Sequence, residues 1–343
     1  MPIAVRPEPE PPLLEVRGLG VSFGTQGDRV QATRDIGFAI QPGERVGIVG
    51  ESGCGKTVTG LALLGLLTPG TSQIVGSAMF EGQNLIGLAS KKLRQIRGRR
   101  ISMIFQEPMS ALDPVFTVGH QIAETIRTHF TVSRRMAKER AIEALASVGI
   151  ASPARVHDSY PHQLSGGMRQ RAMIAIALVC EPRLLIADEP TTALDVTIQA
   201  QIIDLLLDLS SRNGTALLFI THDLGVIAET CTRMLTMYAG EVVEDSPVDD
   251  ALVRPRHPYT SGLLRSLPRL SRPGANLPSI AGRVPSLRAM PAGCRFADRC
   301  AHRSTPCSQP QELTQIDATH RVRCIRQHEL VLPGALTDRE ALA

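Results

Sequence analysis

The sequence predicts an α/β fold built on a mostly parallel sheet. An antiparallel β-subdomain precedes it, a helical subdomain interrupts it and a small cysteine-rich unit follows it. Three observations carry that prediction. The apolar run Val46-Gly47-Ile48-Val49 feeds a glycine-rich loop, Gly50-Glu51-Ser52-Gly53-Cys54-Gly55-Lys56-Thr57, and a leucine-rich helical stretch follows from Val58 to Leu67. Two further runs, Leu184-Leu185-Ile186-Ala187 and Ala216-Leu217-Leu218-Phe219-Ile220, are apolar without alternation, as in strands covered on both faces, and a helical stretch separates them. From Thr117 to Cys180 the periodicity is helical.

In chain order, Met1 to Pro12 is rich in Pro and Glu without a long apolar core, and is expected to be a flexible lead and not an export signal. Leu14 to Leu19 and Asp35 to Ile40 alternate, which predicts antiparallel strands, and a further strand is expected near Gln73 to Phe80. A basic helix from Ser90 to Arg97 leads to a short buried strand, Ile101 to Phe105, that ends at Gln106. Ala141, Ile142, Leu145 and Val148 share a helical face, and Gly149 supplies a stop. Ile198, Ile202, Leu205, Leu206 and Leu209 do the same between the two apolar strands. After about Asp250 Pro and Arg become frequent, apolar runs shorten, and four cysteines fall between Cys294 and Cys324. The expected partition is a lead over 1–12, a core over 13–255 with its helical part at about 107–180, and an extension over 256–343.

The 343 residues fit about two domains at ~150 residues each. With 43% hydrophobic and 20% charged residues the chain is of globular type, and a net charge of +4 is too mild to argue for a nucleic-acid partner. The longest apolar stretches, Gly60 to Leu67 and Ala172 to Cys180, are about half the ~20 residues of a membrane helix, so a membrane role is expected through partner chains. Without an export signal the expected compartment is the cytosol, where disulfides are not expected and seven cysteines need another explanation.

The glycine loop is the first chemical signal. Its G-x-x-x-x-G-K-T spacing lets a backbone poor in side chains turn successive N–H groups toward phosphate oxygens. Lys56 adds positive charge, the Thr57 hydroxyl can ligate Mg²⁺, and the following helix presents its N-terminal dipole. Asp188 and Glu189 end a buried strand as adjacent carboxylates, a costly arrangement unless a cation or hydrogen bonds compensate. Beside a phosphate loop the first suits a Mg²⁺ shell and the second suits activation of water. His222, one strand further, and Gln106, at another strand end, are weaker signals with suitable chemistry. Ser165-Gly166-Gly167 opens a long helix; Ser165 is a natural N-cap, and the two glycines predict close approach by a ligand or another backbone. Phe23, between the first two strands, suits either base stacking or the core.

Taken in order, the Gly50-to-Thr57 loop, Gln106, Leu164-Ser165-Gly166-Gly167, Leu184 to Glu189, Ala193-Leu194-Asp195 and His222 resemble the nucleotide-binding subunit of ABC transporters over roughly Leu13 to Val253. The resemblance implies an ABC-type phosphate-loop ATPase that binds ATP and Mg²⁺, the latter through Thr57, Asp188 and Gln106. It assigns base stacking to Phe23, the lid that senses the membrane partner to Gln106, water activation to Glu189 and the γ-phosphate switch to His222. Ser165 and Gly167 would close over ATP held by a second subunit. Phe105 to Pro114, Asp188 to Thr197 and His257-Pro258-Tyr259-Thr260 further resemble the dipeptide/oligopeptide importer branch, which also includes nickel and glutathione importers. That implies two permeases, an extracytoplasmic solute-binding protein and a peripheral place on the cytoplasmic face of the plasma membrane. Met168 is similar to the first of that branch's two paralogous ATPases, which implies a heterodimer.

Cys294, Cys300, Cys307 and Cys324 supply the ligand count for tetrahedral zinc or an iron–sulfur cluster, and no C-x-x-C pair is present to favour a zinc ribbon. The resemblance to the C-terminal motif of peptide-importer ATPases implies a [4Fe–4S] cluster on these four thiolates. Two rival readings are a soluble ABC ATPase acting on ribosomes or DNA, which usually carries two cassettes or a long coiled-coil insertion, and a redox or metal sensor.

Overall fold

The computed structural model describes residues 11–25, 27–192, 194–266 and 279–335. Most of the lead and Ala193 of the Ala193-Leu194-Asp195 motif lie outside them. Strand β1 (Leu14–Phe23) pairs antiparallel with β2 (Val30–Ile40), Leu14 facing Ile40. Both strands extend beyond the alternating segments read from the sequence, because a register shift between Val16 and Leu19 carries the pairing past the polar Arg17-Gly18 pair. The buried strand β3 (Arg45–Val49) runs through the glycine loop into α1 (Lys56–Leu63). On the other side of β1 lie β4 (Ser72–Phe80) and then β5 (Gln83–Asn84), completing a four-stranded antiparallel sheet.

Helix α2 (Ser90–Ile96) leads to β6 (Ile101–Ile104). A helical run follows: α3 (Pro108–Ala111), α4 (Val118–His129), α5 (Arg134–Ser147), α6 (Pro153–His157) and α7 (Gly166–Leu178). Three of these begin at side-chain N-caps, Thr117, Ser133 and Ser165, each accepting a backbone N–H three residues on. The chain then alternates through β7 (Leu184–Asp188), α8 (Val196–Asn213), β8 (Ala216–Ile220), α9 (Leu224–Thr230) and β9 (Arg233–Tyr238). It closes with β10 (Glu241–Pro247), α10 (Val248–Val253), α11 (Pro258–Arg265) and the two-residue strands β11 (Thr314–Gln315) and β12 (Arg321–Val322).

The second sheet has the order β11-β12-β10-β9-β3-β8-β7-β6, parallel from β9 to β6 and antiparallel beyond β9. Its central strands are buried throughout because both faces are covered, and the pleat divides their side chains between two cores. Leu185, Ala187, Leu217 and Phe219 pack with α7, α8 and the inserted helices, whereas Leu184, Ile186, Leu218 and Ile220 pack with α1 and the antiparallel sheet. Parallel pairing brings the C-terminal ends of four strands to one edge, with Ile48 and Asp188 both level with Ile220. Gly50, Glu189, His222 and Gln106 therefore all leave the sheet on the same side.

Candidate functional site

The glycine loop needs its glycines at two positions. Gly50 has φ +152°, and a Cβ there would lie 2.2 Å from the Met237 carbonyl oxygen. Gly55 has φ +97°, and its Cβ would lie 2.7 Å from Thr33 Cγ2. Lys56 is buried and folds back, its Nζ donating to the carbonyls of Gly50 at 2.7 Å and Glu51 at 3.2 Å. Ser52 and Gly53 are exposed at the outer turn, while Cys54 points into the core, where burial raises its thiol pKa.

Thr57, exposed on the first turn of α1, donates its hydroxyl to Asp188 Oδ1 at 3.1 Å. Asp188 is only 2% exposed, and burial pushes its carboxyl up to about 6. Glu189 stands in the left-handed region at φ +45°, a strained position for a residue with a Cβ, and its N–H donates to the Ile220 carbonyl at 2.7 Å. Its Oε2 accepts from Gln106 Nε2 at 3.0 Å and from the Thr192 hydroxyl at 2.8 Å, and His222 Nδ1 lies 3.1 Å from Oε1. Burial alone would raise the Glu189 pKa, yet the hydrogen bonds from His222 and Thr192 and the charges of His222 and Lys56 hold it below the ordinary value. The result is a pair of neighbouring carboxylates driven apart, one toward protonation and one toward ionisation.

The fold thus brings together Gly50 to Thr57, Gln106, Asp188, Glu189 and His222, from four strand ends. Two predicted groups stand elsewhere. Phe23 closes β1 half-buried against the antiparallel-sheet core, with Val30 and Ser72 as its cross-strand partners. Ser165 caps α7 by accepting from the Met168 N–H at 3.4 Å; a Cβ on Gly166 would meet nothing within 4 Å, and one on Gly167 only Ile198. Among the described residues no hydrogen bond joins this turn to the glycine loop.

The iron–sulfur expectation for Cys294, Cys300, Cys307 and Cys324 is corrected. The four thiols do border one pocket, with His257, Phe296 and Ala297, but its volume is about 20 Å³. That is room for about one water, not for a four-iron cube. Burial raises the Cys294 thiol to about 12 and the Cys324 thiol to about 11, and raises Cys300 as well, with the neighbouring thiols adding to each shift. Among the described residues no group of three or more His, Cys, Asp or Glu is arranged to hold a metal ion.

Three contacts are not readable from the sequence, although Thr192 and Tyr259 lie in stretches that carry the importer resemblance. Thr192 completes the hydrogen bonding of Glu189, while Tyr259 and Arg299 reach Glu51 from more than 200 positions away, Tyr259 accepting its N–H and Arg299 pairing with its carboxylate.

A glycine loop folded over a buried lysine, beside a threonine–aspartate contact at the edge of a parallel sheet, defines a phosphate-loop nucleotide-binding protein. Residues 33–192 match the ABC transporter family model, and residues 243–307 match the C-terminal region of oligopeptide/dipeptide transporters. The chain is 52% identical over 93% of its length to the "Probable peptide ABC transporter ATP-binding protein y4tR" of Sinorhizobium fredii, covering 96% of that protein. It is 48% identical to a protein of Brucella melitensis named for peptide import ATP binding, covering 93% of this chain and 98% of that one. Among solved structures, the dimeric post-hydrolysis state of the ATP-binding cassette MJ0796 bound to ADP and Pi superposes with a TM-score of 0.62 at 26% identity, over 68% of this chain and 98% of that one. This chain belongs to the ATP-binding subunits of ABC transporters, in the oligopeptide/dipeptide branch, and is an ATPase. Membership implies membrane permease partners. Among the described residues no helix is long and apolar enough to cross a membrane.

Proposed function

We propose that this chain hydrolyses ATP to drive import of di- or oligopeptides, or a related solute, through separate permeases at the cytoplasmic face of the plasma membrane. The array Thr57–Asp188–Glu189 carries the reading of the chemistry; the match of the C-terminal region and the names of the relatives support peptide as cargo. The donor set suits Mg²⁺: two hard oxygens, the exposed Thr57 hydroxyl and the buried Asp188 carboxylate, meet where the carboxylate's charge is disfavoured. Thr57 and Asp188 would hold the ion, with Gln106 contributing from the next strand end. Bound there, Mg²⁺ would offset phosphate charge.

The chain's own residues divide the remaining work. The loop N–H groups and Lys56 bind phosphate, and Lys56 exchanges its carbonyl partners for phosphate oxygens. Glu189, held ionised, orients a water and accepts its proton as the water oxygen attacks phosphorus and the bond to the ADP oxygen breaks. His222 aims that carboxylate and reaches the γ-phosphate; Gln106 links the site to the permease side; Phe23 stacks on the base. Ser165, Gly166 and Gly167 close over ATP bound to a second ATPase subunit, so that two nucleotides are sandwiched. The open ground around Gly166, at a helix N-terminus facing no group of its own chain's loop, supports this role.

The partner subunit is read as a paralogue, from Met168, and the assembly as including two permeases and a solute-binding protein. Residues 13–255 form the cassette, with its helical part at about 107–180, and 256–343 form a C-terminal cysteine-rich extension. Uptake of a labelled dipeptide tests the proposal: a strain lacking the chain should lose uptake and regain it with the full chain, but not with Glu189→Gln. Undiminished uptake in the deleted strain would exclude peptides of that class.

A further inference from the structure

The glycine loop is held from outside the cassette, by the segment after β10. Glu51, second in the loop, is gripped at three points. Its N–H donates to the Tyr259 hydroxyl at 2.9 Å, its carbonyl accepts from Lys56 Nζ at 3.2 Å, and its carboxylate takes a two-pronged pair from Arg299, at 2.6 and 3.0 Å. Neither external partner is free to wander. Tyr259 is fully buried on α11, its ring packed 4.6 Å from that of Tyr238 and 5.3 Å from that of Phe296. The Arg299 side chain is 5% exposed and donates from Nε to the Ala281 carbonyl at 2.9 Å. A second support comes from the β9–β10 turn, where Gly240 donates to the Cys54 carbonyl at 2.9 Å and the Ala239 carbonyl accepts from Arg295.

We propose that Arg299 and Tyr259 are positioning residues for ATP binding, which fix the Glu51 peptide and through it the place of the Lys56 ammonium. The C-terminal extension thereby sets the affinity of the loop for nucleotide. The geometry leads there directly. Lys56 rests on the carbonyls at positions 50 and 51, so rotation of the Glu51 peptide moves its anchor. Tyr259 and Arg299 block that rotation from the two remaining sides of the residue. A bidentate guanidinium–carboxylate pair restricts orientation as well as distance, which a single contact would not. Neither residue reaches the carboxylates Asp188 and Glu189, so binding should suffer more than the chemical step.

The inference rests on the nucleotide reading of the loop. The test is steady-state hydrolysis and equilibrium ATP binding by the full chain, wild type against Tyr259→Phe, Glu51→Gln, Arg299→Gln and the Glu51→Gln/Arg299→Gln double variant. Tyr259→Phe keeps the ring in its aromatic packing and removes only the hydroxyl; a roughly threefold to tenfold rise in KM and Kd is expected, with kcat within about twofold. Arg299→Gln should raise KM by roughly tenfold or more, Arg299→Lys should recover part of it, and the double variant should be no worse than the worse single one. Arg303→Ala, which breaks only an exposed pair with Asp298 in the same segment, should leave KM unchanged. Folded variants with wild-type KM and Kd, or strictly additive effects in the double variant, would overturn the assignment. Wild-type protein that bound no ATP would instead refute the nucleotide reading.

Discussion

Asp188 supplies a prediction that separates the stability of the empty chain from its function. Its carboxyl is pushed from 3.8 to about 6 by burial, so at neutral pH the folded chain holds a charge that the unfolded chain accommodates better. The sign follows from linkage: with the folded pKa above the unfolded one, the folded state binds the extra proton between them, and stability falls as pH rises through that window. A shift of about 2 units corresponds to about 3 kcal/mol of destabilisation at pH 7, and about half of that at pH 5. Asp188→Asn keeps an oxygen for the Thr57 hydroxyl and removes the charge. Denaturant unfolding of the nucleotide-free chain should therefore show the variant more stable by about 3 kcal/mol at pH 7, with the gain shrinking to about half at pH 5. The same variant should lose the stabilisation that Mg²⁺ and ATP together give the wild type, and with it hydrolysis. A variant less stable than wild type at pH 7, or a gain that does not change with pH, would refute the reasoning from burial.

Three further outcomes follow from the same geometry. Glu189→Gln should retain ATP binding, lower phosphate release by roughly 10²- to 10⁴-fold and favour a closed dimer on size-exclusion chromatography; unchanged turnover would remove Glu189 from its assigned role. His222→Ala takes away hydrogen bonding and positive charge that hold the Glu189 pKa down, so the acid limb of the kcat–pH profile should move to higher pH; an acid limb in its original place would show that His222 does not set that ionisation. Gly50→Ala would force a methyl group to 2.2 Å from the Met237 carbonyl at a φ of +152°, and should cost about 2–4 kcal/mol in denaturant unfolding.

How far the sequence reaches is set by whether a feature is written in neighbouring residues. The glycine loop and the Asp188-Glu189 pair are contiguous, and each ends a strand whose unbroken apolarity already requires cover on both faces. Their convergence follows from parallel pairing alone. The clamp on Glu51 is the opposite case: Arg299 is 248 positions away, and its place beside Cys300 gives no sign of a partner in the glycine loop. The C-terminal cysteines show a different limit. Their number matches a ligand set, but ligation depends on the space between the thiols, and the pocket they border with His257 and Phe296 holds only about 20 Å³. The β11–β12 hairpin has no sequence signature because a two-residue strand has no period to read; it is fixed by pairing to β10, Glu244 facing Val322. That pairing carries a mechanical consequence. The residues that follow α11 are tied back to the sheet by β12 and by the buried Glu244–His320 contact of 2.8 Å, and to the glycine loop by Arg299. A displacement of these C-terminal residues relative to the sheet would therefore reach the Glu51 peptide through Arg299 while β3 stayed fixed between β8 and β9.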